Sequence, residues 1–212
     1  MTVRSLQRRG LCLVLASPSG GGKSSIARAL VADDPGLTLS ISVTTRAARP
    51  AEREGVDYYF RSREEFDAMA AHGTLLEWAE VFGRGYGTLR APVEQALSAG
   101  GDLVFDIDWQ GFRQLRDALP GDVVGVFILP PSLAELRARL VGRASDDGGE
   151  IVRRMEAARA EIAHAGEFDH LIVNYDLAAS VATARAILQA ARTITERLVG
   201  LPSYLDAIER ES

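Results

Sequence analysis

The segment Ser17-Pro18-Ser19-Gly20-Gly21-Gly22-Lys23-Ser24-Ser25 follows a short apolar run, Leu11–Ala16, and leads into a helical pattern from Ser24. Strand, glycine-rich turn and helix in that order is the context in which G-x-x-x-x-G-K-[ST] cradles the phosphates of a nucleoside triphosphate. Consecutive glycines let backbone N–H groups turn toward one anion, and the helix N-terminus adds partial positive charge. Lys23 is placed to reach the outer phosphates, and the Ser24 hydroxyl to ligate Mg²⁺. Ser17 stands where the strict pattern has glycine, a position that need not touch phosphate. Lys23 is also the one lysine among 24 basic residues. A chain that otherwise uses arginine throughout marks this position as one needing a compact ammonium.

A second set lies further on. Arg46 and Arg49 are three apart and can converge on one anion, to which Tyr58 would add a phenolic donor. Glu77 sits in the apolar stretch Leu75-Leu76-Glu77-Trp78-Ala79. Asp106 and Asp108 close a buried strand, at the end where ligands bind in open α/β sheets. Singly, each has an ordinary reading: surface charge for the arginines, core packing for Tyr58 and Tyr86, helix caps for the aspartates, salt bridges for Arg139, Arg143 and Arg154. Asp108-Trp109-Gln110-Gly111 matches the D-x-x-G of GTPases, but guanine reading by N-K-x-D requires a second lysine, which this chain lacks. His72, His164 and His170 have no metal-site spacing, and Cys12 and Trp109 read as packing residues.

The elements that must position these residues alternate. Strands are expected at Leu11–Ala16, Leu37–Val43, Asp102–Ile107, Val123–Leu129 and His170–Val173. Helices are expected at Ser24–Ala32, Gln110–Ala118, Ser132–Leu140, Glu150–Ala165 and Leu177–Leu198. Continuous apolar strands between helices predict an α/β fold, a parallel sheet covered on both faces. Residues 44–100 break the alternation and read as a small α+β insertion, with short segments Val56–Phe60 and Thr74–Glu80 and helices Arg63–Ala71 and Ala91–Ala99. Residues 141–149 read as a flexible loop, 1–9 as a flexible leader and 191–212 as a helix end and appendage. The chain of 212 residues, 47% hydrophobic and 25% charged, is large enough for one core. A net charge of −5 excludes a broad nucleic-acid surface, and no apolar run approaches the ~20 residues that span a bilayer. The apolar run after Arg4, Arg8 and Arg9 is too short for a signal peptide. A lone cysteine builds no internal disulfide and fits a reducing cytoplasm.

The ordered segments Ser17–Ser24, Thr44-Thr45-Arg46-Ala47-Ala48-Arg49-Pro50, Gly55-Val56-Asp57-Tyr58, Glu77-Trp78-Ala79-Glu80, Tyr86-Gly87-Thr88, Asp106–Gly111, Leu129-Pro130-Pro131-Ser132 and Ile172-Val173-Asn174 resemble the guanylate kinases over residues 10–190. The resemblance implies a P-loop NTPase-type core (10–43 and 101–190), a GMP-binding insertion (44–100) and a lid at about 141–149. It implies transfer of the γ-phosphoryl group of ATP to GMP, with dGMP also accepted. Arg46, Arg49, Tyr58 and Tyr86 would clamp the GMP phosphate, and Ser42, Glu77, Thr88 and Asp108 would read guanine. Lys23, Arg46, Arg139, Arg143 and Arg154 would meet the transferring phosphoryl group. Asp106 would help Ser24 hold Mg²⁺, and Asn174 would lie near the ATP base. The lid departs from the family's usual Arg-Gly followed by acids, reading Gly142-Arg143-Ala144-Ser145-Asp146-Asp147-Gly148-Gly149-Glu150. Two alternatives stand beside this reading: a non-catalytic guanylate-kinase-like module that binds proteins, and a kinase for another phosphorylated acceptor such as a ribose bisphosphate.

Overall fold

The computed structural model describes residues 6–81, 83–141 and 148–210. The chain begins with β1 (Gln7–Arg8), β2 (Cys12–Ala16), α1 (Lys23–Asp33) and β3 (Leu37–Leu39). There follow β4 (Ser42–Thr44), β5 (Tyr59–Phe60), α2 (Arg63–Ala71), β6 (Leu75–Val81), β7 (Arg84–Leu89) and α3 (Arg90–Ser98). The rest comprises β8 (Asp102–Asp106), α4 (Trp109–Ala118), β9 (Val123–Leu129), α5 (Leu133–Val141), α6 (Gly148–Ile162), β10 (His170–Val173), α7 (Leu177–Arg192), β11 (Leu198–Val199) and α8 (Leu201–Arg210).

Five strands form a parallel sheet in the order β10-β9-β2-β8-β3. Every residue of β2 is buried, as a central strand covered on both faces requires. On one face Leu13, Leu15, Val126 and Ile128 pack with Ile26 and Leu30 of α1 and Ala184 and Leu188 of α7. On the other, Cys12, Val14 and Phe105 pack with Val93 and Leu97 of α3 and Phe112 and Leu115 of α4. A second sheet, β5-β4-β7-β6, stands beside the core. It docks on α4 through Gln114, whose side-chain amide accepts from Trp78 N–H at 3.0 Å and donates to Trp78 O at 2.8 Å.

Four expectations need correction. The strand foreseen at Leu37–Val43 is two strands: Ser40 N–H closes the pairing with β8 by donating to Val104 O, and the chain then crosses to the second sheet. The second helix of the insertion, α3, belongs to the core by packing, since Val93 and Leu97 cover the parallel sheet. The last long helix stops at Arg192 instead of Leu198, because the chain turns to bring Arg197 inside and to pair β11 with β1. The leader is tied down for the same reason, at least from Gln7 onward. Arg8 grips both oxygens of fully buried Asp102 at 2.6 and 2.7 Å, and Arg9 Nε holds Asp122 at 2.8 and 2.9 Å. The loop predicted at 141–149 falls largely outside the described residues, between α5 and α6. Among the described residues no helix is long and apolar enough to cross a membrane.

Asp102 also accepts from Arg192 Nε at 2.7 Å and from Leu11 N–H at 3.0 Å. Truncating it removes the carboxylate partner of Arg8, one of the two partners of Arg192, whose other is Asp34, and the acceptor of the buried Leu11 N–H. Asp102→Ala is therefore expected to lose about 3–5 kcal/mol of unfolding free energy, measured by denaturant titration; a loss within ~0.5 kcal/mol, the surface-substitution range, would refute the assignment.

Candidate active site

The turn after β2 is built to face an anion. Gly22 precedes α1 with φ of 105°, a conformation costly for other residues, and no side chain caps the helix. No acid occupies its first turn. The loop is braced from behind. Gly21 N–H donates to Pro18 O at 2.8 Å, and Ser17 Oγ, itself buried, donates to the same carbonyl at 3.0 Å. Asn174, at the end of β10, donates from Nδ2 to Gly21 O at 3.0 Å and accepts from Ser180 Oγ at 3.0 Å. A Cβ on Gly22 would lie 2.4 Å from Asn174 Nδ2. Asn174, expected in a segment near the nucleotide base, engages its buried side chain in holding the loop.

Parallel register places the next group. Leu15 of β2 is level with Asp106 of β8, so the aspartate emerges beside the loop. Its Oδ1 lies 3.0 Å from Lys23 Nζ, and its Oδ2 accepts from Ser24 Oγ. One ammonium, one hydroxyl and one carboxylate thus meet where the loop enters α1. Ser19, Gly20 and Ser25 complete the rim of the turn.

On the second sheet, Ser42, Thr88 and Glu77 are in register across β4, β7 and β6. Glu77 is 3% exposed, and its Oε1 accepts from Thr88 Oγ1 at 2.6 Å. Its other oxygen fits against α4 only because residue 111 is glycine: a Cβ there would stand 2.7 Å from Glu77 Oε2. Burial pushes Glu77 up to about 7; the Thr88 hydrogen bond opposes the shift and the charge of Asp108 adds to it. Asp108 caps α4, its Oδ1 accepting from Gly111 N–H at 2.9 Å. The ordinary reading of Asp108 as a cap therefore holds together with its place beside Glu77.

Arg46 is held by Glu52 through two bonds of 2.8 and 2.9 Å, with its guanidinium 5.2 Å from the Tyr58 ring centroid. Tyr58 and Tyr86 meet edge to face at 6.2 Å. Arg49 does not join them: its side chain is 74% exposed and its Nη1 is 3.9 Å from Glu52. Of the three arginines expected at the phosphoryl group, Arg139 pairs with Glu135 at 3.1 Å and donates to Asn174 O at 3.3 Å, at the edge of the loop. Arg154 lies on α6, and Arg143 lies outside the described residues.

Glu161 on α6 escaped the sequence reading. Burial raises it to about 7, against the lowering effect of Lys23, while Asp108 adds to the rise. The end of α6 is fixed on α4 by His164, stacked on Trp109 at 3.6 Å, and by Glu167, paired with Arg113. Nothing local distinguishes Glu161 from the other helix acids, so only the packing reveals it.

A phosphate-facing loop at the carboxyl ends of parallel strands, with Lys23, Ser24 and Asp106 converging, defines a P-loop nucleotide-binding protein. A model of the family described as guanylate kinase matches residues 9–191. Guanylate kinases from Granulibacter bethesdensis and Gluconobacter oxydans are 62% and 64% identical over 201 and 205 residues, covering 95% and 97% of this chain and 94% and 99% of theirs. The crystal structure of guanylate kinase from Anaplasma phagocytophilum is 38% identical with a TM-score of 0.79, covering 95% of this chain and 96% of that one. The chain belongs to the guanylate kinase family.

The titration of Glu77 has a definite sign. Between 4.5, its ordinary value, and about 7, the folded chain keeps a proton that the unfolded chain has lost. Stability attributable to this group is therefore full below the lower value and falls as pH rises through the window, by about 3 kcal/mol at ~1.4 kcal/mol per unit. Unfolding free energies of wild type and Glu77→Gln, measured from pH 4 to 8, should converge at low pH and diverge in favour of the variant as pH rises. Parallel curves would contradict a buried, titrating Glu77.

Proposed function

We propose that this chain is a guanylate kinase that transfers the γ-phosphoryl group of Mg-ATP to GMP, and also to dGMP, giving ADP and the nucleoside diphosphate. The observation that carries the reading is Glu77, a carboxylate kept buried beside Asp108 with Thr88 as its one hydrogen-bond partner among the described residues. Guanine presents N1–H and N2–H₂ as adjacent donors, which these carboxylates accept, with Ser42 and Thr88 completing the edge. Adenine lacks that donor pair and would leave a buried acceptor unmatched. Arg46, Arg49, Tyr58 and Tyr86 hold the acceptor phosphate, Arg49 by swinging inward from its exposed position.

The donor lies on the loop from Ser17 to Ser25, with Lys23 at its outer phosphates. The Ser24 hydroxyl and Asp106 carboxylate would hold Mg²⁺: two oxygen donors suit an ion that keeps several waters and takes its remaining ligands from substrate phosphates. When bound, Mg²⁺ neutralises phosphate charge. No general base is needed, because the second pKa of a phosphate monoester is about 6 and the attacking oxygen is already anionic. That oxygen forms the new bond to the γ-phosphorus, the bond to the β–γ bridging oxygen breaks, and ADP leaves with the electron pair. The obstacle is repulsion between two polyanions, about 4 kcal/mol per pair of unit charges at roughly 4 Å and an effective dielectric near 20. Lys23, Arg46, Arg139, Arg143 and Arg154 offset it as the lid and the GMP-binding arm close. The buried thiol of Cys12 suits a cytoplasmic protein.

Two variants test the assignment. Lys23→Ala should lower turnover by at least about a hundredfold, the scale of one lost transition-state contact, while GMP affinity measured by calorimetry survives; near-normal turnover would refute the role of the loop. Glu77→Gln exchanges one acceptor oxygen for a donor and should narrow the ratio of GMP to AMP turnover. An unchanged ratio would remove Glu77 from the set that reads guanine.

A further inference from the structure

Arg46 distributes its donors unevenly. Nη1 donates to Glu52 Oε2 at 2.9 Å and to the Ala47 carbonyl at 2.8 Å, and Nη2 donates to Glu52 Oε1 at 2.8 Å. The carboxylate therefore occupies the end of the guanidinium fork. Among the described residues no protein acceptor takes a hydrogen bond of normal geometry from the side edge, Nε–H with the second Nη2–H, and the Tyr86 hydroxyl is the hydrogen-bonding group that neighbours this guanidinium. Two parallel N–H groups on one edge match two oxygens of a phosphate.

Glu52 is itself fixed. Its Oε2 accepts from Arg49 N–H at 2.8 Å, and its own N–H donates to Arg49 O at 2.9 Å, closing the turn between the two arginines. The Tyr58 ring flanks the guanidinium from another side. A carboxylate standing in for the acceptor phosphate would draw both arginines and both tyrosine hydroxyls. Here Arg49, 74% exposed, brings its Nη1 no nearer than 3.9 Å to Glu52 Oε1, and Tyr58 offers Arg46 its ring face. Glu52 is thus built into the turn that carries both arginines, bonded to Arg49 N–H as well as to the end of the Arg46 fork.

We propose that Glu52 is the positioning residue of the acceptor-phosphate clamp, holding the far end of Arg46 so that its Nε–Nη2 edge faces the phosphate of GMP. The proposal rests on the reading of Arg46 as a GMP contact and adds the residue that aims it.

The test is a double-mutant cycle on GMP binding, read by calorimetry, with Glu52→Gln, Arg46→Ala and the pair. Glu52→Gln is expected to weaken GMP about tenfold, leaving ATP affinity within about twofold. The double variant is expected to bind GMP no more weakly than Arg46→Ala alone, because Glu52 acts only through that arginine. Glu52→Asp keeps the charge but shortens the reach, and should also weaken GMP. Additive losses, full affinity in Glu52→Asp, tighter GMP binding in Glu52→Gln, or an equal loss of ATP affinity would each overturn the proposal. Failure of wild type to bind GMP would overturn the acceptor-site reading itself, a separate and distinguishable result.

Discussion

A loop that binds phosphate must leave N–H groups open to its ligand while remaining fixed in shape. The rest of the structure follows from that constraint. The N–H groups cannot be tied to side chains in front, so the loop is held through its carbonyls from behind. Asn174 does this from the end of β10, and Ser180 on α7 fixes Asn174 in turn. The parallel sheet makes the arrangement possible: β2, β8 and β10 all end on the same side, and their last residues meet there. Asp106 reaches Lys23 and Ser24 because register puts it level with the end of β2. The opposite ends of the strands carry the charges that anchor the chain, with Asp102 and Asp122 binding Arg8, Arg9 and Arg192.

The two sheets divide the electrostatic task. Around the loop, cations and acids are paired and partly exposed, an arrangement that on the proposed reading exchanges these pairings for substrate phosphates. On the second sheet, Glu77 is buried with little compensation, an arrangement that disfavours its charged form until a matching donor arrives. Arg46 is the converse, a charge already matched by Glu52 and therefore stiff. One site needs a ligand to complete it, and the other is complete before the ligand comes. On the proposed reading, selectivity for a base and readiness for a phosphate are separate properties of one sheet.

Much of this was legible in the sequence where a local pattern carries the physics. An apolar run ending in three glycines and a lysine has few structural outcomes, and β2 with α1 matches the expectation to within a residue or two. Glu77 stood out because a carboxylate among Leu75, Leu76 and Trp78 must be buried or edge-exposed. What was not legible depends on partners distant in the chain. The split between β3 and β4 is decided by which sheet each half pairs with, and both halves look alike. β1 and β11 are too short to be read as strands; they exist because Arg8, Arg9 and Arg197 find Asp102 and Asp122 about a hundred residues away. Asn174 carried no sign that it would brace Gly21, and Glu52 no sign that the turn would fold it onto Arg46.

The central claim is that a buried carboxylate selects the acceptor for a phosphoryl group carried on the Lys23 loop. ADP formation from Mg-ATP by the wild-type chain, with GMP, dGMP, AMP, CMP, UMP or a ribose bisphosphate as acceptor, tests it most directly. The account predicts rapid turnover with GMP and dGMP and little with AMP or the pyrimidine nucleotides. Turnover with AMP equal to that with GMP, or transfer to the ribose bisphosphate alone, would contradict it.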